Sequence, residues 1–455
     1  MLMGIKGLNK AIKDTAPDAV LLGSIDDIPK GVYGVDVSIY LYPGLYNQES
    51  KGKGSHIRKF FDMIIDWRKA GHNLVMVFDG DTHSIEAKKD TIEERKEITA
   101  AKYKDILQIC QEITSEEVVH SGKVIEVTDE MHEQLKIDSD VETIDINDYA
   151  KHLMNKVSCT DEQYMMLENA VKKNISIKSS DIQDLVDLFE FTGTPYLRAE
   201  GEADHMLADM YEGNLIDGVI SEDGDMLTHG VCYLIRGIND HKCRRDGVIK
   251  IYNLQTLLAS WNITYRQFVD VCILSGCDYN KNKKIAGIAC KTARKLICKH
   301  GSVENYLSTL KGDKLDTVPE NFLPIYHEAV RIFCSINEQI PESDSVKHWR
   351  NVPGMDQDVS SALSTWLQKE TNYTSTTVQK KVKILNMPLK ITRTEPNPTP
   401  DSSYSYSYSY NPKPNPKPKP KIKVTVRPKK PQKIVVKVKV NVNIKQRIKP
   451  TVSLK

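Results

Sequence analysis

Seven carboxylates in this chain fall where apolar runs end or where glycine turns the backbone, and that pattern limits how the chain can fold. Asp36 closes the run 31–35 and Asp79 closes 73–78. Glu202 and Asp204 flank Ala203 just after Gly201, Asp223 and Asp225 flank Gly224 beyond the run 217–221, and Asp278 follows Gly276-Cys277. Buried like charges repel and ions are costly to desolvate, so fold stability does not call for seven such groups. Divalent cations would offset both costs. Taken singly, each acid has a plainer reading: Asp36 as a helix N-cap, Asp223-Gly224-Asp225 as a turn. The combination reverses that balance.

The apolar runs 31–35 and 73–78 are short and bounded by polar residues, as buried parallel strands are, with a helix over 56–69 between them. In open α/β sheets, sites form beyond the carboxyl ends of the strands, which is where Asp36 and Asp79 would project. Ile182, Leu185, Val186, Leu188 and Phe189 make one helix face over 181–191. A further helix is expected over 204–211 and a strand over 217–221. The expected fold is α/β, a mostly parallel sheet flanked by helices. Its expected parts are an N-terminal α/β region over 3–95, an insertion over 96–180, a second α/β and helical region over 181–310, a mixed helical part over 311–388, and a tail over 389–455. Between residues 112 and 148, 12 acidic residues stand against Lys123 and Lys136, so helix is expected in the insertion only in patches. In the tail Ser and Tyr alternate over 403–410 and Pro and Lys over 411–420, a composition that cannot bury a core and predicts disorder.

A chain of 455 residues accommodates one to three domains. No apolar run approaches the roughly 18 residues of a membrane span, and no secretory signal is visible. Nine cysteines without a CxxC pair suggest reduced thiols in an intracellular protein. The net charge of +2 conceals an asymmetry: residues 411–455 hold 15 Lys or Arg and no acid, leaving 48 basic residues against all 61 acidic ones in the rest. Such a tail reads as an arm for nucleic acid or another anionic partner, or equally as a solvated linker or nuclear import signal.

Mg²⁺ is a hard cation that takes oxygen ligands. Two such ions roughly 3.5–4 Å apart can clamp a phosphodiester. Glu202 with Asp204, and Asp223 with Asp225, stand two residues apart, which in extended or turning backbone sends both carboxylates to one side. No Cys or His cluster competes in the sequence, so zinc is not expected.

The chain resembles the flap endonuclease family of structure-specific 5′ nucleases, which includes the XPG-type enzymes. The resemblance is carried by Met3-Gly4-Ile5-Lys6-Gly7-Leu8, Val75-Met76-Val77-Phe78-Asp79-Gly80, Gly193-Thr194-Pro195-Tyr196 through Glu200-Gly201-Glu202-Ala203-Asp204, Ser221 to Thr228, and Phe268 to Tyr279. It spans roughly residues 3–388, interrupted by the insertion. It implies a PIN-like sheet, an arch formed by the insertion, and a helix–two-turn–helix DNA-binding element over about 284–301. It further implies a Mg²⁺-dependent nuclease acting on branched or 5′-ended DNA in replication or repair, with two ions per site and Mn²⁺ able to substitute. The alternatives are a 5′–3′ exonuclease or junction-resolving nuclease of the same family, or a catalytically inactive nucleic-acid-binding scaffold.

Residue by residue, the resemblance puts metal ligands at Asp36, Asp79, Glu202, Asp204, Asp223, Asp225 and Asp278, the last three serving the second ion. It puts Lys88 and Arg95 on the scissile phosphate, and Tyr42, with Tyr40 as its rival, on a base. Gly276, Gly287, Lys291, Arg294, Lys295 and Lys299 are expected to meet DNA. Three departures stand out. Asp204 replaces the second Glu of the family's ExE pair, and Ala289 and Cys290 stand where Gly and Pro are usual. The 123-residue span from Asp79 to Glu202 is long for the family, and strongly acidic. No sliding-clamp motif is present; Gln255 to Trp261 imitates one but is expected to be a packed helix. A monomer is expected, with the effective start at Met3.

Overall fold

The computed structural model describes residues 4–46, 52–80, 88–114, 120–121, 124–135, 141–156, 160–174, 177–281, 283–334, 339–393 and 395–400. Seven strands form one sheet: β1 (Val20–Gly23), β2 (Val32–Asp36), β3 (Asn73–Phe78), β4 (Tyr196–Arg198), β5 (Gly218–Ile220), β6 (Tyr233–Arg236) and β7 (Ile249–Asn253). Their order is β1-β7-β6-β5-β2-β3-β4. The five strands from β6 to β4 run parallel, and β7 and β1 add antiparallel at the edge.

Every residue of β2, β3 and β5 is buried, which explains their unbroken apolar runs: both faces of a parallel sheet are covered. The chain leaves β2 toward β3 and β4, then returns to lay β5 on the other side of β2. Crevices open at the carboxyl ends where strand order reverses in this way. The helix Ala203–Glu212 packs directly on β2. At Gly34 a β-carbon would collide with Leu207 and lie 2.7 Å from Ile216 Cδ1, so the absent side chain sets how close that helix sits.

One face is covered by Ser55–Lys69, which buries Ile57, Phe60, Phe61, Ile64 and Trp67. Leu363, Leu367, Val378, Val382 and Leu385, from helices Gln357–Glu370 and Ser375–Leu385, join the same core. The region 311–388 is thus no separate body; part of it completes the layer over the N-terminal strands. No helix among the described residues is long and apolar enough to cross a membrane.

Two expectations need correction. The insertion is not helical only in patches. Lys89–Thr114 is one helix of 26 residues, and it starts before the expected boundary at 96. Tyr103, Ile106, Leu107 and Cys110 line its inner face at helical spacing. They pack with Ile125, Ile146, Tyr149, Leu153, Leu167 and Val171 into a core of the insertion's own. Glu112, Glu126, Asp129, Glu130, Glu133 and Glu142 are exposed around that core. The tail, expected from 389, begins later. Leu389–Lys390 pairs with Asn351–Val352, Ile391 is buried, and Asn397 Nδ2 donates to the carbonyls of Tyr211 (2.6 Å) and Ile216 (2.7 Å). The Ser-Tyr and Pro-Lys stretches lie outside the described residues.

Candidate active site and nucleic-acid face

Four of the parallel strands deliver acids to one edge. Asp36 is the last residue of β2, Asp79 follows β3, Glu202 and Asp204 follow β4, and Asp223 and Asp225 follow β5. Asp278 comes from outside the sheet, three residues after the helix Tyr265–Ser275. Asn280 holds that loop: its Oδ1 accepts from the Cys277 N–H (2.9 Å), and its Nδ2 donates to the Ile273 carbonyl (2.7 Å).

Local hydrogen bonds aim the carboxylates. Ala203 N–H donates to Asp79 Oδ1 (2.9 Å), and Ser221 Oγ lies 3.4 Å from Asp36 Oδ2. Asp225 N–H donates to Asp223 Oδ1 (3.0 Å). The N-terminal segment closes the site from a third direction: Ile5 N–H donates to Asp225 Oδ1 (2.8 Å). Gly4 has φ +86°, and a β-carbon there would run into Asp223 Oδ1 and Asp225 Oδ1. Only glycine allows that approach.

Charge repulsion links the group. Burial, then the charge of Asp79 and more weakly that of Asp223, pushes Asp36 up to about 8. Burial and the neighbouring Asp36, Asp223 and Glu202 hold Asp204 well above the carboxylate range. Burial, Asp223 and Asp278 do the same to Asp225, and burial raises Asp223. Asp204 Oδ1 is buried without a hydrogen-bond partner. An unpartnered carboxyl oxygen buried among other acids fits a hard cation, which would satisfy its lone pairs and favour the ionised form. No three of the seven bring oxygens within 4.8 Å of one another, whereas among the described residues His56, Asp181 and Asp184 do. That second group could hold an ion. Its His56 Nε2–Asp184 Oδ2 contact of 3.0 Å already ties the helix Ser55–Lys69 to Ser179–Thr192.

These shifts carry a testable sign. A carboxyl raised from 3.8 to about 8 in the fold stabilises the protonated state. Its contribution is full below the unfolded value and is lost as pH rises through about 8. The metal-free protein should therefore melt lower as pH rises from 6 to 8.5. Saturating Mg²⁺ should restore most of the loss, because it replaces the departing protons. Thermal melts in chelator and in Mg²⁺ check this; a metal-free melting temperature that climbs over that interval would contradict it.

Lys88 and Arg95 stand at the base of the helix Lys89–Thr114. Lys88 Nζ lies 2.5 and 2.6 Å from the Glu202 oxygens and is nearly buried. Burial opposes its charge, but Glu202, together with Asp278 and Asp204, raises it overall. Arg95 is exposed, with Nη2 3.4 Å from Asp278 Oδ2. Thr91 Oγ1 donates to the Asp278 carbonyl (2.9 Å), pinning the helix to the same loop. Tyr42 is 52% exposed, whereas Tyr40 lies fully in the core.

The stretch 284–301, expected to form a helix–two-turn–helix, holds the end of the connection between the helices Tyr265–Ser275 and Cys290–His300 and the second of those helices. Gly276 and Gly287 take positive φ, and nothing lies within 4 Å of a β-carbon at Gly287. Ala289 sits in extended backbone, so its position does not require glycine. The basic face is partly engaged: Lys291 Nζ pairs with Asp14 (2.6 Å), and the Arg294 guanidinium lies 5.1 Å over the Trp261 ring. Lys295 and Lys299 are exposed on a groove of about 560 Å³ shared with Ala11 and Thr15. Gln255 and Trp261 belong to the helix Leu254–Trp261, with Trp261 buried.

Sequence reasoning assigned no role to Ser221, Thr91, His205 or the Ile5 amide, which reach the site only through the fold. Tyr279 was visible beside Asp278 but had no spacing signal of its own.

A parallel sheet whose carboxyl edge gathers seven acids, beneath a helix that brings a lysine and an arginine, defines an α/β protein of the acidic-site nuclease class. Residues 3–102 match the XPG N-terminal domain and residues 193–278 the XPG I-region. Flap endonuclease 1 of Cryptosporidium muris is 28% identical over 395 residues, covering 83% of this chain and 71% of that one. Among solved structures, flap endonuclease-1 from Methanococcus jannaschii superposes with a TM-score of 0.50 at 18% identity, over 82% of this chain and 97% of that one. The catalytic core of Rad2 in complex with DNA substrate gives a TM-score of 0.50 at 17% identity, over 82% and 98%. In both matched regions the chain is similar to the flap endonuclease and XPG-type nucleases.

Proposed function

We propose that this protein is a Mg²⁺-dependent, structure-specific 5′ nuclease that hydrolyses phosphodiester bonds in branched or 5′-ended DNA. The observation that carries the reading is the convergence of the carboxylates that follow β2, β3, β4 and β5 with Asp278, and the buried, unpartnered Asp204 Oδ1 among them. Asp36, Asp79, Glu202 and Asp204 are assigned to one ion, and Asp223, Asp225 and Asp278 to the other. The ions, when bound, would lower the pKa of the attacking water and stabilise the leaving oxygen. Lys88 and Arg95, now on Glu202 and Asp278, turn to the scissile phosphate as DNA enters and neutralise its developing charge. Tyr42 stacks on a base beside the cut, and Lys295, Lys299 and the glycine turn at Gly287 meet the duplex backbone.

One panel tests this: 5′-flap, nicked, gapped, four-way-junction and single-stranded DNA, with and without Mg²⁺. Cleavage near the base of a 5′ flap, only with a divalent cation, is expected. Preference for the junction or for end-by-end release would select the related activities. Duplex binding without cleavage of any substrate would favour an inactive scaffold.

The basic tail is proposed to add sequence-independent affinity and leave the chemistry alone. Neutralised phosphates release counterions, so the slope of log affinity against log salt follows the number of contacts. Removing residues 401–455 should flatten that slope and weaken binding at low salt while single-turnover cleavage at saturating enzyme stays unchanged. Superimposable slopes for full-length and shortened protein would assign the tail to localisation or protein docking.

A further inference from the structure

The aromatic ring beside Asp278 has no part in the ligand set, yet it lies against the group that must reach the phosphate. Tyr279 is 5% exposed, and Lys88 Nζ sits 5.1 Å from its ring centroid. The ring is held from two further directions. Its Oη is 3.2 Å from His205 Nε2, and its plane meets Phe333 at 73° with centroids 5.1 Å apart. His229 packs between His205 (5.1 Å) and Phe333 (4.9 Å), closing a buried aromatic cluster behind the ring.

A lysine is a point charge on a flexible four-carbon stem. Lys88 now rests on the Glu202 carboxylate. If Glu202 turns to a metal ion, that anchor is weakened, and the ammonium needs another surface to keep it facing the phosphate. The face of an aromatic ring within about 6 Å attracts a cation, more strongly where water is excluded. Here only 12% of the Lys88 side chain is exposed.

We propose that Tyr279 is a positioning residue for Lys88: its ring face holds the ammonium over the reacting phosphate, and the His205 contact and Phe333 fix the plane of that ring. The inference rests on the role assigned to Lys88 above. Tyr279 touches neither DNA nor metal; it acts through the lysine.

The test separates ring electrostatics from packing. Tyr279→Phe keeps the ring and removes only the hydroxyl. Pentafluorophenylalanine at the same position keeps the shape and reverses the charge distribution of the face. Single-turnover cleavage of a 5′-flap substrate in Mg²⁺ is measured for both, in the Lys88 and the Lys88→Ala backgrounds, with thermal melts as the folding control. The Phe variant should stay within about threefold of the unaltered enzyme. The fluorinated variant should fall about tenfold in rate with substrate affinity unchanged, the size expected of a desolvated cation–ring contact. In the Lys88→Ala background the two should cut at the same rate. Equal rates in the Lys88 enzyme, or a difference that persists without the lysine, would overturn the proposal. A Lys88→Ala enzyme that cuts at the full rate would instead remove the role of Lys88 on which it rests. If the fluorinated form is unstable, Tyr279→Leu in both backgrounds asks the same question: loss confined to the Lys88 enzyme supports the proposal, and equal loss in both refutes it.

Discussion

Asp225→Asn should abolish Mg²⁺-dependent cleavage, by roughly 10²-fold or more, while duplex binding stays nearly intact. The substitution keeps the shape and an oxygen able to accept the Ile5 N–H now bound at 2.8 Å. What it removes is the negative charge, and with it part of the hold on the second ion and of that ion's Lewis acidity. Stability should move the opposite way. Asp225 is buried, and its charged form is disfavoured by burial, Asp223 and Asp278. Without metal the carboxyl is held protonated there, and a neutral amide of the same shape replaces it at no cost, so the variant should melt no lower than the parent in chelator. Cleavage assays at low and high Mg²⁺, filter binding and melts together check this. Near-normal turnover at low Mg²⁺ would sink the assignment, and a collapsed melting temperature would show that Asp225 is a structural cap.

Lys88→Ala and Arg95→Ala should each lose turnover by roughly 10²-fold or more, with binding changed far less. Both side chains stand at the base of one helix and contact a carboxylate of the site. They differ in surroundings. Lys88 is nearly buried against Glu202 and Tyr279, whereas 43% of the Arg95 side chain is exposed. A buried donor aimed at developing charge acts through turnover, so Lys88→Ala should show the cleaner separation. Lys88→Arg should not restore it, because the larger fork does not fit the space a compact ammonium fills. Single-turnover rates against binding constants decide. Variants that bind weakly but cut at the normal maximal rate would make these two residues backbone contacts.

How far the sequence went can be judged from particular elements. The runs ending at Asp36 and Asp79 were legible as parallel strands because burial on both faces leaves an unbroken apolar stretch, and a strand end is where a side chain leaves the sheet. The pairs Glu202/Asp204 and Asp223/Asp225 were legible as candidates because like charges two residues apart beside glycine need a reason. In the insertion the stripe Tyr103, Ile106, Leu107 and Cys110 is short and interrupted by Lys104 and Asp105, and only packing against Leu153 and Leu167 makes it a core. The start of the tail was placed too early, because Ile391 and Asn397 are held by partners far back in the chain, at Arg350 and Tyr211.

The sequence by itself determined the class of fold, the seven acids and the family resemblance, since strand burial, residue type and short motifs are local properties. Only the tertiary structure decided that β5 returns beside β2 and gathers those acids at one edge, that Ile5 N–H reaches Asp225, and that Tyr279 faces Lys88. Those contacts join residues 220 and 191 positions apart, and periodicity and spacing, which compare a residue with its near neighbours, carry no record of such distances.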